Sequence, residues 1–412
     1  MGLKTSWRLN VILVAISVLL VFGLSLLVDR FLGKLHPAPK ISGRMELIFP
    51  PGNVQDFRTV DFTYTASINS IGLRDREIAQ DKDGKYRILA IGDSFVYGWG
   101  VNLEDTWLKI AEKKLQEQGY NVEMDNCGKP GSGPPFYADL AEKVIPLLKP
   151  DMVLVVMLQG DDLAASGPEG LKPAKNWIVQ RIQAMYPNLT WLIEERGRKA
   201  EGEPEAHQSG PPSHSTIEDN RRFSAITAKN FLDKMSADER ARFDALEEKV
   251  KTAFIHGDLN AYMIDLALKN PKFYTFTLNL DDSWIQGCMD RMAGQLVRIK
   301  DVARRHGAKV VVLSIPPGMY VNENAVKNIH RVGYDISPDM ITSDAPDRAI
   351  RTACEHAGLP FHEVTQAFKD KRNDPDLFYE LDYHLNAKGH RMYADLITPE
   401  IAKEIGEAGK KP

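Results

Sequence analysis

The longest apolar run of the chain lies near its N-terminus. Val11–Val28 contains 18 residues without a charge, and as a helix it would span about 27 Å, close to the thickness of a hydrocarbon core. No amphipathic face is visible, which argues against a core helix, and no clear cleavage site of a signal peptide follows. The run therefore predicts a single-pass transmembrane anchor, or an uncleaved signal, at residues 9–28.

Basic residues flank this run on both sides. Lys4 and Arg8 precede it, whereas Arg30 and Lys34 follow it and weaken the asymmetry. The basic residues at the start favour an N-terminus inside the cell. We therefore expect a protein of the cell (inner) membrane whose main domain faces the periplasm or the cell exterior.

Shorter patterns follow in residues 29–85, which we interpret as a linker and an N-terminal extension. The segment HPAPK at 36–40 has the composition of a linker, and apolar and polar residues alternate from 59 to 67. Such an alternation predicts a half-buried strand. The residues on its apolar face are Val60, Phe62 and Tyr64.

From residue 86 the chain alternates between continuous apolar runs and helical segments. The predicted strands are 86–91, 120–124 and 152–158, and the predicted helices are about 105–118 and 136–148. Continuous apolar strands that alternate with helices are typical of a parallel sheet covered on both faces. We assign residues 86–163 to the first part of such an α/β domain.

The alternation stops and later resumes. Residues 164–282 are polar and mostly helical, with a capping box at Ser236–Glu239, and the composition at 198–216 predicts a disordered loop. We interpret 164–282 as an insertion and 283–405 as the second part of the α/β domain. The elements predicted in that part are a helix at about 290–306, the strand KVVVLSI at 309–315 and a final helix after HLNAKGH.

Composition narrows the functional classes. The chain of 412 residues has a net charge of −4, which argues against a broad nucleic-acid-binding surface. Cys127, Cys288 and Cys354 lie far apart and form no Cys-x-x-Cys motif, so no zinc or redox motif is visible. We expect isolated buried thiols.

The first strand of the α/β domain runs directly into Gly-Asp-Ser. In RILAIGDSFVYGWGV, residues 87–101, Ser94 follows the carboxyl end of the strand, where ligands bind in open parallel sheets. A helix that starts there would favour developing negative charge beside the serine. The segment is not the Gly-x-Ser-x-Gly motif of the α/β-hydrolases, because Val96 stands where that motif needs glycine. Ser94 is a candidate nucleophile, and the alternative is a helix N-cap.

A nucleophilic serine needs a base, and ELDYHLNAKGH at 380–390 offers one. Asp382 lies two residues before His384, and in an extended loop it can bind the Nδ1 side of the ring and leave Nε2 for a serine. The alternative is that both are ordinary loop residues. Asn386 is placed to cap the last helix, and we interpret His390 as structural, since a zinc site there lacks a third ligand.

Four sequence blocks together resemble those of the SGNH/GDSL hydrolases. They are GDSF after the first strand, NCGKPGSG (126–133) after the second, GDDL (160–163) after the third and DYHLNAKGH near the end. INSIGLRDRE and GWGVNLEDTW further resemble flanks found in membrane-anchored bacterial members. The resemblance covers about 60–160 and 283–400 and implies a three-layer, flavodoxin-like α/β fold with a parallel sheet.

The resemblance also implies roles for individual residues. Ser94 would be the nucleophile, His384 the general base and Asp382 the residue that orients the base. The backbone N–H groups of Ser94 and Gly131 would hold the oxyanion. The chemistry is that of a carboxylic ester hydrolase, which requires no metal or organic cofactor.

Two positions depart from the family pattern. The family commonly has its aspartate three residues before the histidine, where this chain has Leu381. Its third block usually has an asparagine that donates to the oxyanion, where this chain has Asp161. An ionised carboxylate would repel an oxyanion. We expect either that Asp161 is a neutral acid, its pKa raised by burial or by Asp162, or that the Gln159 amide replaces it.

These features predict a membrane-anchored, extracytoplasmic serine esterase that acts on acyl esters, in the first place acetyl esters, with carbohydrate as a candidate alcohol. An O-acetyltransferase for polysaccharides is one alternative, because some relatives of that kind share the short Asp–His spacing. A catalytically dead binding module is the other, because of Asp161. Aromatic residues of the insertion either roof the site and bind a glycan or form the insertion's own core; they are Trp177, Tyr186, Trp191, Phe231 and Tyr262.

Overall fold

The computed structural model describes five parts of the chain, which are 3–35, 43–168, 185–186, 189 and 213–410. They fall into two units. The first contains the N-terminal helix with residues 185, 186 and 189, and the second contains the remainder. The predicted linker at 36–40 and the candidate aromatic residues Trp177 and Trp191 lie outside the described residues.

The first unit consists mainly of one long helix, α1, at Leu3–Leu35. Its 23-residue segment Asn10–Leu32 is long and apolar enough to cross a membrane, with a mean hydropathy of 3.1 in its most apolar window. The apolar helix is as predicted, but it is longer than the anchor predicted at 9–28 and continues into the region interpreted as linker. Within this unit the Asp29 carboxylate accepts a hydrogen bond of 2.8 Å from the Leu189 N–H.

The second unit is an α/β body with additions. Its strands are β1 (Val54–Arg58), β2 (Thr63–Ser67), β3 (Tyr86–Gly92), β4 (Val122–Gly128), β5 (Met152–Leu158), β6 (His214–Ser215), β7 (Lys309–Ile315) and β8 (Phe361–His362). Its helices are α2 (Ser94–Tyr97), α3 (Trp107–Glu117), α4 (Pro134–Leu148), α5 (Asp161–Ala165), α6 (Ile217–Leu232), α7 (Ala237–Asp244), α8 (Glu248–Ile255), α9 (Ala261–Lys269), α10 (Ser283–Arg305), α11 (Glu323–Arg331), α12 (Ala345–Ala357), α13 (Thr365–Lys369) and α14 (Ala387–Ile405). Short 3₁₀ turns lie at Leu103–Asp105, Phe273–Leu278, Gly318–Tyr320, Pro338–Ile341 and Gly406–Gly409.

The central sheet has five parallel strands in the order β4–β3–β5–β7–β8. Numbered within the sheet, this order is 2-1-3-4-5, the flavodoxin-like arrangement. The predicted fold class is therefore confirmed. The strand order reverses between β3 and β5, and at such a switch point a crevice opens outside the carboxyl ends of the strands.

Helices cover both faces of this sheet. Successive side chains of a strand point to opposite faces, so Ile88 and Ala90 of β3 pack towards α3 and α14, whereas Leu89 and Ile91 pack towards α4, α10 and α12. The result is a three-layer body with a core on each side of the sheet. The predicted isolated thiols are confirmed, since all three cysteines are free and buried.

Most predicted elements of the body are confirmed, with shifted ends. The strand predicted at 120–124 begins at Val122 and extends to Gly128, and the helix predicted at about 290–306 begins at Ser283. The capping box at Ser236–Glu239 and the Asn386 cap are as predicted.

The N-terminal extension is a hairpin rather than the single strand predicted at 59–67. β1 and β2 are antiparallel, and in the turn between them the Thr59 N–H donates to the Phe62 carbonyl at 2.9 Å. Because Val60 lies in this turn, its side chain is 43% exposed, and its placement on the buried face was wrong. Phe62 and Tyr64 are buried as predicted.

Part of the stretch predicted as a disordered loop is ordered. Residues 198–212 lie outside the described residues, but His214–Ser215 forms β6, which pairs with β1 in parallel. Thr216 then starts α6 with a capping box to Asp219. The chain is held here because β1 offers an open edge and the cap satisfies the first N–H groups of α6.

Candidate active site

Ser94 is the first residue of helix α2, at the carboxyl end of β3. The helix is capped by Asp93, whose carboxylate accepts a hydrogen bond of 3.0 Å from the Phe95 N–H. The interpretation of Ser94 as the N-cap is therefore wrong. As the first helical residue, Ser94 has a backbone N–H that no intrahelical hydrogen bond uses.

The structure brings together Ser94, His384 and Asp382. Nε2 of His384 lies 2.7 Å from Oγ of Ser94. On the other side of the ring, Nδ1 contacts a carboxylate oxygen of Asp382, which also accepts the His384 backbone N–H at 3.0 Å. All three residues are buried. Asp382, two residues before His384, therefore reaches Nδ1 of the ring and leaves Nε2 as the proton acceptor for Ser94.

The surroundings of Asp382 favour its ionised form. Burial alone would raise its pKa, but the His384 ring and backbone N–H more than offset this, and the pKa of Asp382 lies below its ordinary value. The His384 ring packs against both Phe95 and Tyr383, each with its ring centroid 4.7 Å away. These contacts fix the plane of the imidazole.

A cavity of about 250 Å³ opens beside Ser94. Gly131 and Asp161 line it, as the sequence blocks predict for an oxyanion site, and so does Asp93. Gly131 has a φ of +70°, a left-handed conformation that favours glycine. A larger cavity of about 550 Å³ lies elsewhere among charged residues such as Arg76 and holds none of the predicted site residues.

Asp161 has an altered acidity. Burial raises the pKa of Asp161 to about 7, and the nearby charge of Asp93 adds to this effect. The sequence analysis offered burial or Asp162 as the cause of a raised pKa of Asp161, and burial is the largest cause. Asp162 is engaged elsewhere, since it accepts hydrogen bonds of 2.8 Å from the Tyr137 hydroxyl and from the Leu158 N–H. With a pKa near neutrality, Asp161 spends a substantial fraction of the time as a neutral donor.

Gln159 does not take part in the site. Its Nε2 lies 2.6 Å from a carboxylate oxygen of Asp347 and 2.9 Å from Oγ of Ser314, in a buried position between β5 and β7. The alternative in which this amide holds the oxyanion is therefore wrong. The amide is held instead by the stronger hydrogen bond to a carboxylate.

The insertion contributes two residues that the sequence analysis missed. Both lie on the 3₁₀ turn Phe273–Leu278. The Tyr274 hydroxyl donates to the Asp161 carboxylate, 3.4 Å from each oxygen, and Phe273 lines the cavity. The aromatic content of the insertion led us to expect aromatic residues at the site, but not these two. Of the residues named in advance, Phe231 and Tyr262 pack against each other at 5.4 Å and do not line this cavity.

The N-terminal hairpin supports the loop that carries Asp382, which the sequence analysis also missed. The Asp61 carboxylate, in the hairpin turn, accepts a hydrogen bond of 2.7 Å from the Leu381 N–H. Burial raises the pKa of Asp61 to about 6. The Phe62 ring lies 4.8 Å from that of Tyr379, two residues before Leu381.

The remaining residues of the C-terminal block have structural contacts. Asn386 accepts hydrogen bonds from the Lys388 and Gly389 N–H groups and so caps α14. His390 is buried, its Nδ1 accepts a hydrogen bond from the Trp107 N–H at 3.2 Å, and burial lowers the pKa of His390 to about 3. In the described part of the chain, no three His, Cys, Asp or Glu side chains are grouped so that they would hold a metal ion.

No family model matches the sequence, and no curated protein was found to match it. Solved structures align with about three quarters of the chain. TesA is 12% identical over 77% of this chain and 98% of its own, with a TM-score of 0.37. An acetyl xylan esterase, AlAXEase, is 10% identical over 76% and 99%, with a TM-score of 0.35. A member of the lipolytic protein G-D-S-L family from Veillonella parvula is 10% identical over 76% and 96%, with a TM-score of 0.32.

These similar structures include a member of the family that the four sequence blocks resemble.

Replacing Asp161 with asparagine is expected to raise the rate of ester hydrolysis, increasingly so at higher pH. With a pKa of about 7, Asp161 is mostly neutral at about pH 6 and mostly ionised at about pH 8.5, where its charge would oppose an oxyanion. Asparagine is a neutral donor at every pH. The measurement is kcat/KM of Asp161→Asn relative to wild type from about pH 6 to 8.5; the ratio should rise towards about 10²-fold.

Both enzymes contain His384, so a pH-dependent difference between them arises from the replacement of Asp161. Asp233→Asn, which alters an exposed carboxylate of the insertion, is the control and should give a flat ratio near one. A flat ratio for Asp161→Asn as well would show that Asp161 does not face the oxyanion.

Replacing Asp61 with alanine is expected to lower kcat by about tenfold, because the Leu381 N–H loses its acceptor next to Asp382. Asp61→Asn keeps an oxygen acceptor and should retain most of the wild-type kcat. The measurement is kcat and KM for a small ester, with thermal unfolding of each variant. A kcat of Asp61→Ala equal to that of wild type would mean that the hairpin does not position the loop that carries Asp382.

Proposed function

We propose that this chain is a serine ester hydrolase of the SGNH/GDSL type, with Ser94 as nucleophile, His384 as general base and Asp382 as the residue that orients the base. The observation that carries the proposal is the 2.7 Å contact between Nε2 of His384 and Oγ of Ser94, with Asp382 on the far side of the ring. A hydroxyl, an imidazole and a carboxylate in this order form the unit that activates serine in acyl transfer.

The proposed reaction has two halves. Oγ of Ser94 attacks the acyl carbonyl while Nε2 of His384 takes its proton, and the negative oxygen is held by the N–H groups of Ser94 and Gly131 and by neutral Asp161. His384 then returns the proton to the departing alcohol, which leaves an acyl-enzyme. Water then attacks that ester while His384 takes one of its protons, and His384 returns this proton to Oγ of Ser94 as the acid is released.

We further propose that the substrate carries a short acyl group, in the first place acetyl, and that its alcohol is a carbohydrate. The small cavity beside Ser94 supports a short acyl group, since about 250 Å³ is less than the roughly 300–1,000 Å³ of pockets for drug-sized ligands. The carbohydrate is suggested by the resemblance to relatives with the short Asp–His spacing that act on polysaccharides.

We also propose that α1 anchors the protein in the inner membrane and that the α/β domain lies in the periplasm or outside the cell. The support is the 23-residue apolar segment of α1 and the basic residues Lys4 and Arg8 before it.

Ser94→Ala is expected to abolish labelling by a fluorophosphonate probe and to reduce hydrolysis of p-nitrophenyl acetate by about 10⁴-fold or more, because no other hydroxyl lies at Nε2 of His384 in the described site. Ser132→Ala is the matched control, since Ser132 lies on the wall of the same cavity and its hydroxyl donates to the Lys129 carbonyl. Labelling should persist in Ser132→Ala. Labelling that persists in Ser94→Ala would disprove the assignment.

An alkaline phosphatase fusion joined after residue 40 is expected to be active, and the full chain should resist extraction with carbonate, because α1 would hold the protein in the membrane with its C-terminal side exported. The double replacement Leu19→Arg with Leu20→Arg places two charges in the apolar helix. It should abolish both properties. An inactive wild-type fusion would place the α/β domain in the cytoplasm.

A further inference from the structure

The cavity beside Ser94 is lined by both polar and apolar residues. Gly131 and Asp161 are among the polar ones, and they are the proposed partners of the carbonyl oxygen of an ester. The apolar lining consists of Leu158, Ala164, Ala165, Phe273 and Tyr383. An acyl chain bound with its carbonyl oxygen at Gly131 and Asp161 would contact this apolar lining.

Phe273 differs from the other apolar lining residues in its origin. Leu158 comes from β5, Ala164 and Ala165 come from α5, and Tyr383 comes from the loop that carries Asp382. Phe273 comes from the insertion, on the turn Phe273–Leu278. The wall that it forms is therefore specific to a chain that carries this insertion.

The turn that carries Phe273 is tightly held. Tyr274 is fully buried, and its carbonyl accepts hydrogen bonds from the Tyr320 hydroxyl at 3.1 Å and from the Thr277 hydroxyl at 3.0 Å. The Phe273 ring packs edge-on against Tyr274 and Phe276, with centroids 5.0 and 5.7 Å away. A ring fixed in this way limits the space in front of it instead of moving aside for a longer chain.

We propose that Phe273 determines the acyl-chain length that the site accepts, by limiting the apolar space of the cavity to chains of a few carbons. The proposal rests on the proposed esterase function and adds a specificity-determining residue to it. The substrate class is then esters of short, uncharged acyl groups, because none of the described residues that line the cavity is basic and could hold an acyl carboxylate.

The test is a chain-length profile. kcat/KM is measured for p-nitrophenyl acetate, butyrate and octanoate with the full-length protein in detergent, for wild type, Phe273→Ala, Phe273→Trp and Phe231→Ala. Phe231 is the matched control, because it is a half-buried phenylalanine of the same insertion, but its ring packs against Tyr262 at 5.4 Å and it does not line the cavity.

Wild type should prefer acetate and butyrate to octanoate. Phe273→Ala should raise the ratio of octanoate to acetate by at least about tenfold, since removing a wall opens room for several methylene groups. Phe273→Trp should lower the ratio of butyrate to acetate, and Phe231→Ala should leave both ratios unchanged. Circular dichroism and fluorophosphonate labelling of Ser94 establish that each variant is folded and reactive.

The possible failures are distinguishable. If wild type neither takes the label nor hydrolyses any of the three esters, the proposed function is wrong. If wild type is active and the folded Phe273 variants keep its ratios, the function stands and the role of Phe273 is wrong. If Phe273→Ala does not fold, Phe273→Trp decides the matter through the butyrate ratio alone, and an equal change in Phe231→Ala would also overturn the proposal.

Discussion

The contact between Nε2 of His384 and Oγ of Ser94 joins residues 290 positions apart, and the rest of the site is arranged around it. A hydrogen bond of 2.7 Å tolerates little displacement of either partner. Ser94 is held by α2, which Asp93 caps at the end of β3, and His384 lies just before Asn386, the cap of α14. The parallel sheet and α14 therefore set the position of each partner, and the caps fix the local backbone that aims the two side chains at each other.

Buried carboxyl groups around Ser94 constrain the chemistry of this contact. Burial raises the pKa of Asp93 to about 6 and that of Asp161 to about 7, whereas Asp382 stays acidic because it faces the imidazole of His384. Ionising Asp93 and Asp161 together would place two negative charges where an oxyanion must form. A carboxyl group that is protonated near neutral pH avoids this repulsion and still offers an O–H donor. In the proposed mechanism, Asp161 can replace an amide donor only because burial raises its pKa.

The parts of the fold that depend on local pattern were predictable from the sequence. β5 and β7 are continuous apolar runs with predicted bounds that agree with the structure, since a central parallel strand is buried on both faces. Val60 was misplaced because an alternating pattern does not show where a hairpin turns. Ser94 and His384 lie in recognisable blocks, but Asp61 and Tyr274 act through tertiary contacts, to Leu381 and Asp161, that no local pattern encodes.

The two additions outside the family-like blocks meet the site at different points. The hairpin contacts the loop of the base through Asp61, and the insertion contacts the oxyanion side through Tyr274 and the cavity through Phe273. Because Phe273 and Tyr274 are adjacent on one rigid turn, the size of the acyl cavity and the environment of Asp161 are mechanically linked. A shift of the turn that widened the cavity would also move the Tyr274 hydroxyl away from Asp161 and expose its carboxyl group to water. Hydration would lower the pKa of Asp161, whereas loss of the Tyr274 hydrogen bond would raise it. Because burial is the largest cause of the raised pKa, hydration would dominate, and in the proposed mechanism a closed, small cavity therefore favours a neutral Asp161.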